Sequence, residues 1–183
     1  MKNKTVTISK FLSLVLRHKP QTIGIDLDPN GWVEVDVLLA QAAAYGRNIS
    51  PELLAHVVES NDKKRFAMSE DGLRIRASQG HSISVGLGLE PKSPPEQLFH
   101  GTADRFLAKI MSEGLSKMNR QHVHLSSSAE TATSVGARHG RPVILVVDCA
   151  AMAEDGHEFY LSANGVWLTD LVPVKYLAKY TAA

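Results

Sequence analysis

"KFLSLVLRHKP", residues 10–20, has the pattern of an amphipathic helix that ends on two basic residues. Ser9 is a suitable N-cap before it and Pro20 cannot continue the turn, so we predict the first helix between them. Arg17 and His18 then lie at a helix C-terminus, where unpaired carbonyls stabilise a cation by about 0.3–1 kcal/mol. Capping alone accounts for both residues, and an anion site is the alternative interpretation. The apolar positions that define the helix are Phe11, Leu12, Val15 and Leu16.

Two further helices and a hairpin follow within the first 85 residues. "GWVEV" alternates like a short strand, and Asp36 is predicted to cap the helix "VLLAQAAAY", which ends at Gly46. A serine, a proline and an acidic residue at 50–52 predict the start of a third helix, "LLAHVVES". "KRFAMSEDGLRIRAS" holds two alternating runs around a turn at residues 70–72. Three helices followed by a hairpin predict a winged-helix-like lobe over residues 1–85.

The rest of the chain predicts a linker and a mixed α/β lobe. Residues 86–97, "GLGLEPKSPPEQ", are rich in glycine and proline and oppose regular structure. In residues 98–183, strand-like blocks "LFHGT", "HVHLS" and "PVILVVD" alternate with helix-like "DRFLAKIMSEGL" and "SAETATSVGARHG" before extended "GVWLTDLVPVKYL". "LFHGT" is expected to be a strand that meets a tight turn. The predicted fold class is α+β.

Composition limits the classes of function. The 183 residues are 44% hydrophobic but contain no apolar run near the roughly 20 residues that span a bilayer, so we expect a cytoplasmic protein with no membrane partner. The formal net charge of +1 disfavours a broad nonspecific nucleic-acid surface and favours one focused anion site. Cys149 is the only cysteine and is expected to be buried packing.

The hairpin concentrates basic residues at its two edges. Lys63, Lys64 and Arg65 stand at its start, and Arg74, Arg76, Gln79 and His81 at its end. If the first helix packs beside it, the anion set Arg17, His18 and Arg65 converges, since guanidinium forks match phosphate oxygens. Lys63 would share a strand face with Arg65. A solvated charged hairpin is the alternative.

The second half offers a short ligand motif. In "FHGT", a glycine between His100 and Thr102 lets the backbone approach a planar ligand, although a plain turn also explains it. His122 and His124 would share a strand face, but no further ligands stand at zinc spacing, so we predict no metal site. The Gly-x-Gly at residues 86–88 lacks the other residues of a phosphate loop.

Taken together and in order, seven blocks resemble the NAD-dependent RNA 2′-phosphotransferase family, the tRNA 2′-phosphotransferases. The blocks are "SKFLSLVLRHKP", "LDPNGWVEVDVLL", "DKKRFAMSEDGLRIRASQGHS", "LFHGT", "RQHVHLSSSAETATSVGARHG", "PVILVVD" and "NGVWLTDLVPVKYL". The resemblance implies that the second lobe has an ADP-ribosyltransferase-like fold and that RNA and NAD meet between the lobes. It implies no metal cofactor.

The resemblance also implies roles for particular residues. Many ADP-ribosyltransferases carry a histidine, a tyrosine and a glutamate in three motifs, and the matching places here are His100, His124 and Val166. An apolar residue at the third place fits an acceptor that is already anionic. The implied catalytic set is Arg17, His18, Arg65 and Arg120. The implied cofactor-binding set is His100, Gly101, Thr102, Ser126 and His139. Candidate substrate-binding residues are Lys63, Arg76, Gln79 and His81.

The implied reaction transfers an internal RNA 2′-phosphate in two steps. The phosphate attacks the nicotinamide ribose and displaces nicotinamide, and the ribose O2″ then attacks phosphorus, which releases RNA and ADP-ribose 1″,2″-cyclic phosphate. We expect a monomer whose partners are NAD and RNA with an internal 2′-phosphate, as at a tRNA splice junction. One alternative is an ADP-ribosyltransferase that caps terminal phosphates of nucleic acids. Another is a noncatalytic winged-helix regulator that binds duplex DNA and does not use NAD.

Overall fold

The structure is a computed structural model that describes residues 2–181, with the side chains of residues 2 and 3 excepted. The chain forms two compact units that divide between residues 88 and 89, inside the segment predicted as a linker. Both units combine helices with small antiparallel sheets, in agreement with the predicted α+β class. Among the described residues, no helix has the length and apolarity to cross a bilayer.

The first unit packs three helices on a three-stranded antiparallel sheet. The sheet has the order β1-β3-β2, and Ile75 of β3 pairs with Val33 of β1 and Met68 of β2. Leu12, Leu16 and Ile75 are fully buried in its core. The elements are α1 (Lys2–Arg17), β1 (Val33–Glu34), α2 (Val35–Ala44), α3 (Pro51–Glu59), β2 (Phe66–Met68) and β3 (Arg74–Ala77).

The first helix begins earlier than the sequence pattern predicted. α1 starts at Lys2, so the prediction that Ser9 is its N-cap is wrong. Ile8 is buried one turn before Leu12, which extends the apolar stripe beyond the quoted stretch. The Ser13 hydroxyl donates to the Ser9 carbonyl at 2.8 Å, as serines do inside helices. The predicted end at Arg17 is confirmed, and Pro20 begins a short 3-10 helix.

The other two helices differ in which group accepts from their first N–H groups. α2 begins at Val35, so Asp36 lies in the first turn and is not the cap that was predicted. The Val35 N–H donates to the Leu73 carbonyl at 2.8 Å, which serves in place of a side-chain cap. α3 begins as predicted, with the Ser50 hydroxyl accepting from the Leu53 N–H at 3.2 Å. The hairpin of β2 and β3 is also confirmed.

The second unit contains three small antiparallel sheets with the orders β11-β7-β4, β6-β9-β8 and β10-β5. Its core includes Leu98, Leu145 and Phe159, which are almost fully buried. The elements are β4 (Gln97–Ala103), α4 (Asp104–Glu113), β5 (Leu115–Ser116), β6 (Val123–Leu125), α5 (Ala129–Gly136), β7 (Pro142–Asp148), α6 (Cys149–Glu154), β8 (Tyr160–Leu161), β9 (Trp167–Thr169), β10 (Leu171–Val172) and β11 (Leu177–Lys179).

The motif predicted to be a turn lies inside a strand. β4 pairs with β7 along its whole length, with His100 opposite Leu145 and Thr102 opposite Val143, so the prediction of a tight turn at "HGT" is wrong. Gly101 is required here by packing, because α5 lies directly against its Cα. The predicted packing role of Cys149 is confirmed: it is fully buried, and burial raises its pKa to about 12.

Candidate functional site

The end of α1 and the start of the hairpin meet in the first unit. An Nη of Arg17 donates to the backbone carbonyl of Arg65 at 3.2 Å, and the Arg17 guanidinium lies 6.0 Å from the ring centre of Phe66. The structure therefore brings the Arg17 side chain to the backbone of Arg65.

Asn61 holds the Arg65 side chain, and the sequence analysis missed it. Its Oδ1 accepts from Arg65 Nη1 at 3.3 Å and from the Lys63 N–H at 3.1 Å. Its Nδ2 donates to the Ser9 hydroxyl of α1 at 3.3 Å. Asn61 begins an Asx turn, because its side chain accepts from the N–H two residues later, and asparagine is a recognisable sequence signal of such turns. Its hydrogen bond to a helix residue 52 positions away could not be predicted from local sequence.

Lys63 does not lie where the sequence predicted. β2 starts only at Phe66, and Lys63 belongs to the preceding turn, in which Lys64 has a positive φ of 40°. Lys63 and Arg65 therefore do not share a strand face. Lys63 is exposed and close to Arg65 in sequence, but it is held through its backbone N–H.

Ser82 orients His18. The His18 Nδ1 and the Ser82 hydroxyl are 2.9 Å apart, and the Ser82 N–H donates to the Arg17 carbonyl at 2.9 Å. A hydroxyl can donate or accept, so this bond is compatible with both protonation states of an imidazole. The segment after β3 is thus tied to the basic end of α1, which was not predicted.

Three residues expected on an exposed hairpin edge lie partly or fully inside the first unit. His81 is only 1% exposed, and neither ring nitrogen has a hydrogen-bond partner among the described residues. The guanidinium of Arg76 stacks over Trp32, 4.6 Å from the ring centre, and donates to the Leu87 carbonyl at 3.3 Å. Gln79 is half-buried. The alternative of a fully solvated charged hairpin therefore does not hold for these three positions.

Burial and neighbouring charge keep His81 neutral. Burial lowers its pKa to about 4, and the positive charges of Arg17, His18 and Arg76 act in the same direction. At pH 7 the ring therefore adds no charge to the basic end of α1. It supplies one donor and one acceptor instead.

The His81→Asn variant is expected to make the protein less sensitive to acid. Between an unfolded pKa near 6.5 and the folded value of about 4, the unfolded chain binds this proton and the folded chain does not. The free energy of unfolding therefore decreases as the pH decreases through this window, by up to about 1.4 kcal/mol per pH unit from this group. Urea titrations from pH 7 to pH 4 measure it. Parallel curves for wild type and variant would contradict the assignment, and His56→Asn, at an exposed position of α3, is the control.

If Arg65 contacts the 2′-phosphate that the family resemblance implies as substrate, the Asn61→Ala variant is expected to lower turnover of 2′-phosphorylated RNA about 10-fold. This is the size of one net hydrogen bond to a charged group. Asn61→Asp keeps the acceptor but adds a carboxylate that competes with an anionic ligand, so we expect a rise in KM as well. Asp62→Ala, in the same exposed turn, should leave both constants unchanged. Equal effects at 61 and 62 would show that the turn and not the Asn61 amide is responsible.

In the second unit, His100 has a defined tautomer. Its Nδ1 lies 3.0 Å from the carbonyl oxygen of His124, and since a carbonyl only accepts, Nδ1 carries the proton. Burial lowers the pKa of His100, and the nearby Arg120 adds to this, while the hydrogen bond opposes it. The ring is therefore neutral at pH 7, and Nε2 is an acceptor suited to a hydroxyl group.

His124 also holds Arg120. Its Nη1 donates to His124 Nδ1 at 3.0 Å, which makes that nitrogen the unprotonated one. Burial lowers the pKa of Arg120, and Arg138 adds to the effect. His124 thus connects Arg120 to His100, one through its ring and the other through its carbonyl. The sequence analysis noticed His124 only as a rejected metal ligand and as a place in a family motif.

The other predicted ligand residues are partly gathered here. Ser126 pairs with Phe99 through two backbone hydrogen bonds of 2.7 and 2.8 Å, which places it one residue from His100. Thr102 is buried. His139 lies in the exposed turn after α5, and its ring makes no hydrogen bond to any described residue. Within residues 2–181, no group of three metal-ligating side chains is present.

The sequence is similar to known proteins of one family. Residues 3–171 match the sequence model described as "RNA 2'-phosphotransferase, Tpt1 / KptA family". A Flavobacterium johnsoniae protein named "Probable RNA 2'-phosphotransferase" is 57% identical over 175 residues, which cover 96% of each chain. A Streptomyces coelicolor protein of the same name is 58% identical over 174 residues, 95% of this chain and 94% of its own. One from Hahella chejuensis is 56% identical over 178 residues, 97% and 96% of the two chains.

Proposed function

Since this chain belongs to the RNA 2′-phosphotransferase family, we propose that it removes an internal 2′-phosphate from RNA and consumes NAD in doing so. The observation that carries the proposal is the link through His124 between Arg120, a phosphate-binding candidate, and His100, a candidate for the nicotinamide end of NAD. A phosphate and a ribose must be adjacent if one is to attack the other. This pair of contacts provides groups for both within a single unit.

In the first step, an oxygen of the RNA 2′-phosphate forms a bond to C1″ of the nicotinamide ribose. The glycosidic bond breaks, and nicotinamide leaves with its electron pair. The phosphate is already an anion at neutral pH, so the protein has to align it and needs no general base. Arg17, Arg65 and Arg120 are proposed to hold its oxygens, and His100 Nε2 to accept from a ribose hydroxyl.

In the second step, the ribose O2″ loses its proton and attacks phosphorus. The bond between phosphorus and the RNA O2′ breaks, and O2′ takes up a proton to become a hydroxyl group. The products are RNA and ADP-ribose 1″,2″-cyclic phosphate. His18 is proposed to deliver the proton to O2′, with Ser82 fixing its ring, while the guanidiniums stabilise the changing charge on the phosphate.

The two predicted lobe folds are part of this proposal. Three helices and an antiparallel sheet of order β1-β3-β2 support a winged-helix-like fold for residues 1–85. The motif-bearing strand β4, packed under α5, supports an ADP-ribosyltransferase-like fold for residues 98–183. Val166 matches the place of the glutamate in the family motif, and we propose that a carboxylate there would repel the phosphate. The Val166 N–H donates to the Ser162 hydroxyl. A tRNA splice junction is the proposed source of the RNA.

The test is a reaction with NAD and an oligoribonucleotide that carries one internal 2′-phosphate. We expect nicotinamide, the cyclic phosphate and 2′-hydroxyl RNA in equal amounts. The same oligonucleotide without the 2′-phosphate is the control and should release no nicotinamide above background. Failure to form the cyclic product would contradict the proposal.

An alternative activity would use the same proposed phosphate-binding residues. A terminal phosphate is also an anionic nucleophile, so residues proposed to hold a 2′-phosphate would also suit ADP-ribosylation of nucleic-acid ends. A persistent ADP-ribosylated end with no cyclic product would select this activity. A noncatalytic DNA-binding regulator would instead show no thermal stabilisation by NAD.

A further inference from the structure

An exposed aromatic and basic surface lies on the first unit, outside the residues assigned above. The rings of Phe11 and Tyr45 are nearly parallel, with centres 6.3 Å apart and planes 18° apart. Tyr45 is 53% exposed, so much of its ring is open to solvent. The Arg47 guanidinium lies 6.0 Å from the centre of the Phe11 ring. We call Lys4, Phe11, Tyr45 and Arg47 the Tyr45 surface.

A cavity of about 200 Å³ is lined by Phe11 and by Gly46 and Arg47, the two residues that follow Tyr45 in sequence. Lys4 and Arg47 contribute two positive charges to its lining, and Thr7 and Asn48 contribute polar groups. None of its described lining residues is acidic. An open aromatic face next to cations and an amide is the combination with which proteins bind single-stranded nucleic acid, because bases stack on the ring and phosphates meet the cations.

Two residues of the Tyr45 surface share a face of α1 with His18. Lys4, Phe11 and His18 are spaced seven residues apart, and seven residues of an α-helix return to within about 20° of the same face. The His18 N–H donates to the Leu14 carbonyl at 3.0 Å, so the helical path extends as far as His18. At 1.5 Å per residue, Phe11 lies about 10 Å and Lys4 about 20 Å along the axis from His18.

We propose that the Tyr45 surface binds a nucleotide of single-stranded RNA that flanks the 2′-phosphorylated residue. A base stacks on the open face of Tyr45, and Lys4 and Arg47 contact the neighbouring phosphates. Single-stranded RNA fits better than a duplex, since duplex bases are already stacked and cannot reach an isolated ring. The inference rests on the proposed function for the position of the reacting phosphate, but not for the binding itself.

Substrate length gives the first test. The substrates are a dinucleotide with a 2′-phosphate at its internal linkage and longer single strands that carry this dinucleotide at the 5′ end or the 3′ end. We expect Tyr45→Ala to raise KM for one of the longer substrates by about 5- to 100-fold, the size of one base stacked on an aromatic ring. KM for the dinucleotide and kcat should stay the same. Val37→Ala, at another exposed apolar position of this unit, is the matched control.

Binding of unphosphorylated RNA gives a second test that does not depend on catalysis. By fluorescence anisotropy, the wild type should bind a single strand more tightly than the duplex of the same sequence, and Tyr45→Ala should weaken single-strand binding at least 5-fold. Arg47→Ala should reduce the slope of log K against log salt by about 0.7. Duplex preference, unchanged binding by Tyr45→Ala, or an equal loss on the dinucleotide would overturn the inference. Absence of turnover together with normal single-strand binding would instead reject only the proposed function.

Discussion

Replacing Gly101 with alanine is expected to unfold much of the second unit. A Cβ at this position would lie 2.6 Å from the carbonyl carbon of Ala132 and closer still to its oxygen. Both atoms belong to the backbone of α5, so no side-chain rotation can make room. Gly136 presents the same restriction from the helix side, since its Cβ would lie 2.6 Å from the Thr102 carbonyl oxygen. Helix and strand are therefore in direct backbone contact.

The cost should be a large part of the stability of the fold. Ordinary overpacking costs about 1–3 kcal/mol, and a backbone that must move against a paired strand costs more. Against a typical total of about 5–15 kcal/mol, we expect a loss of cooperative unfolding or a strongly reduced midpoint in urea. Gly86→Ala is the control, because its nearest contact would be an ordinary 3.5 Å, and its free energy of unfolding should change by less than about 0.5 kcal/mol. Wild-type stability of Gly101→Ala would show that α5 does not lie against β4.

Local signals in the sequence predicted the elements whose limits are set locally. The third helix begins where a serine cap and a first-turn proline predicted, and the hairpin turns at residues 70–72. The predicted start of α2 was wrong because the N–H of its first residue donates to the carbonyl of Leu73, a residue distant in sequence. The prediction of a turn at "HGT" was wrong for the same reason. Its pairing with β7 and its contact with α5 are tertiary contacts, which the periodicity of the sequence does not predict.

The candidate site also divides into residues that the sequence could identify and residues set by contacts distant in sequence. The basic residues and the "FHGT" motif could be selected by their chemistry and by resemblance to a family. The residues that orient them could not, because Asn61 acts on α1 across 52 residues and Ser82 on His18 across 64. His124 was visible, but its role depends on a ring nitrogen and a carbonyl that face two different partners. Sequence therefore identified groups able to contact the substrate more readily than the groups that position them.

Alanine at Arg65 is expected to lower turnover of 2′-phosphorylated RNA by about 100- to 1000-fold, as does loss of one donor that stabilises charge in a transition state. Arg17 donates to the Arg65 backbone carbonyl, which alanine retains, so the change removes the Arg65 guanidinium without releasing Arg17. Arg65→Lys keeps the charge but not the planar fork, and should recover only part of the rate. Steady-state and single-turnover measurements of nicotinamide and cyclic phosphate report the two steps separately.

Arg74→Ala is the matched control for this variant. It removes the same charge from the same hairpin, at an exposed side chain 5.6 Å from the Trp32 ring centre, and should change turnover by less than about 3-fold. Equal losses at 65 and 74 would indicate a general field effect, and no loss at 65 would show that Arg65 does not contact the phosphate. Charge moves among the phosphate oxygens when O2″ attacks phosphorus, so a guanidinium on those oxygens should matter most in that step. Arg65→Ala should then release nicotinamide faster than it forms the cyclic product, and ADP-ribosylated RNA should accumulate.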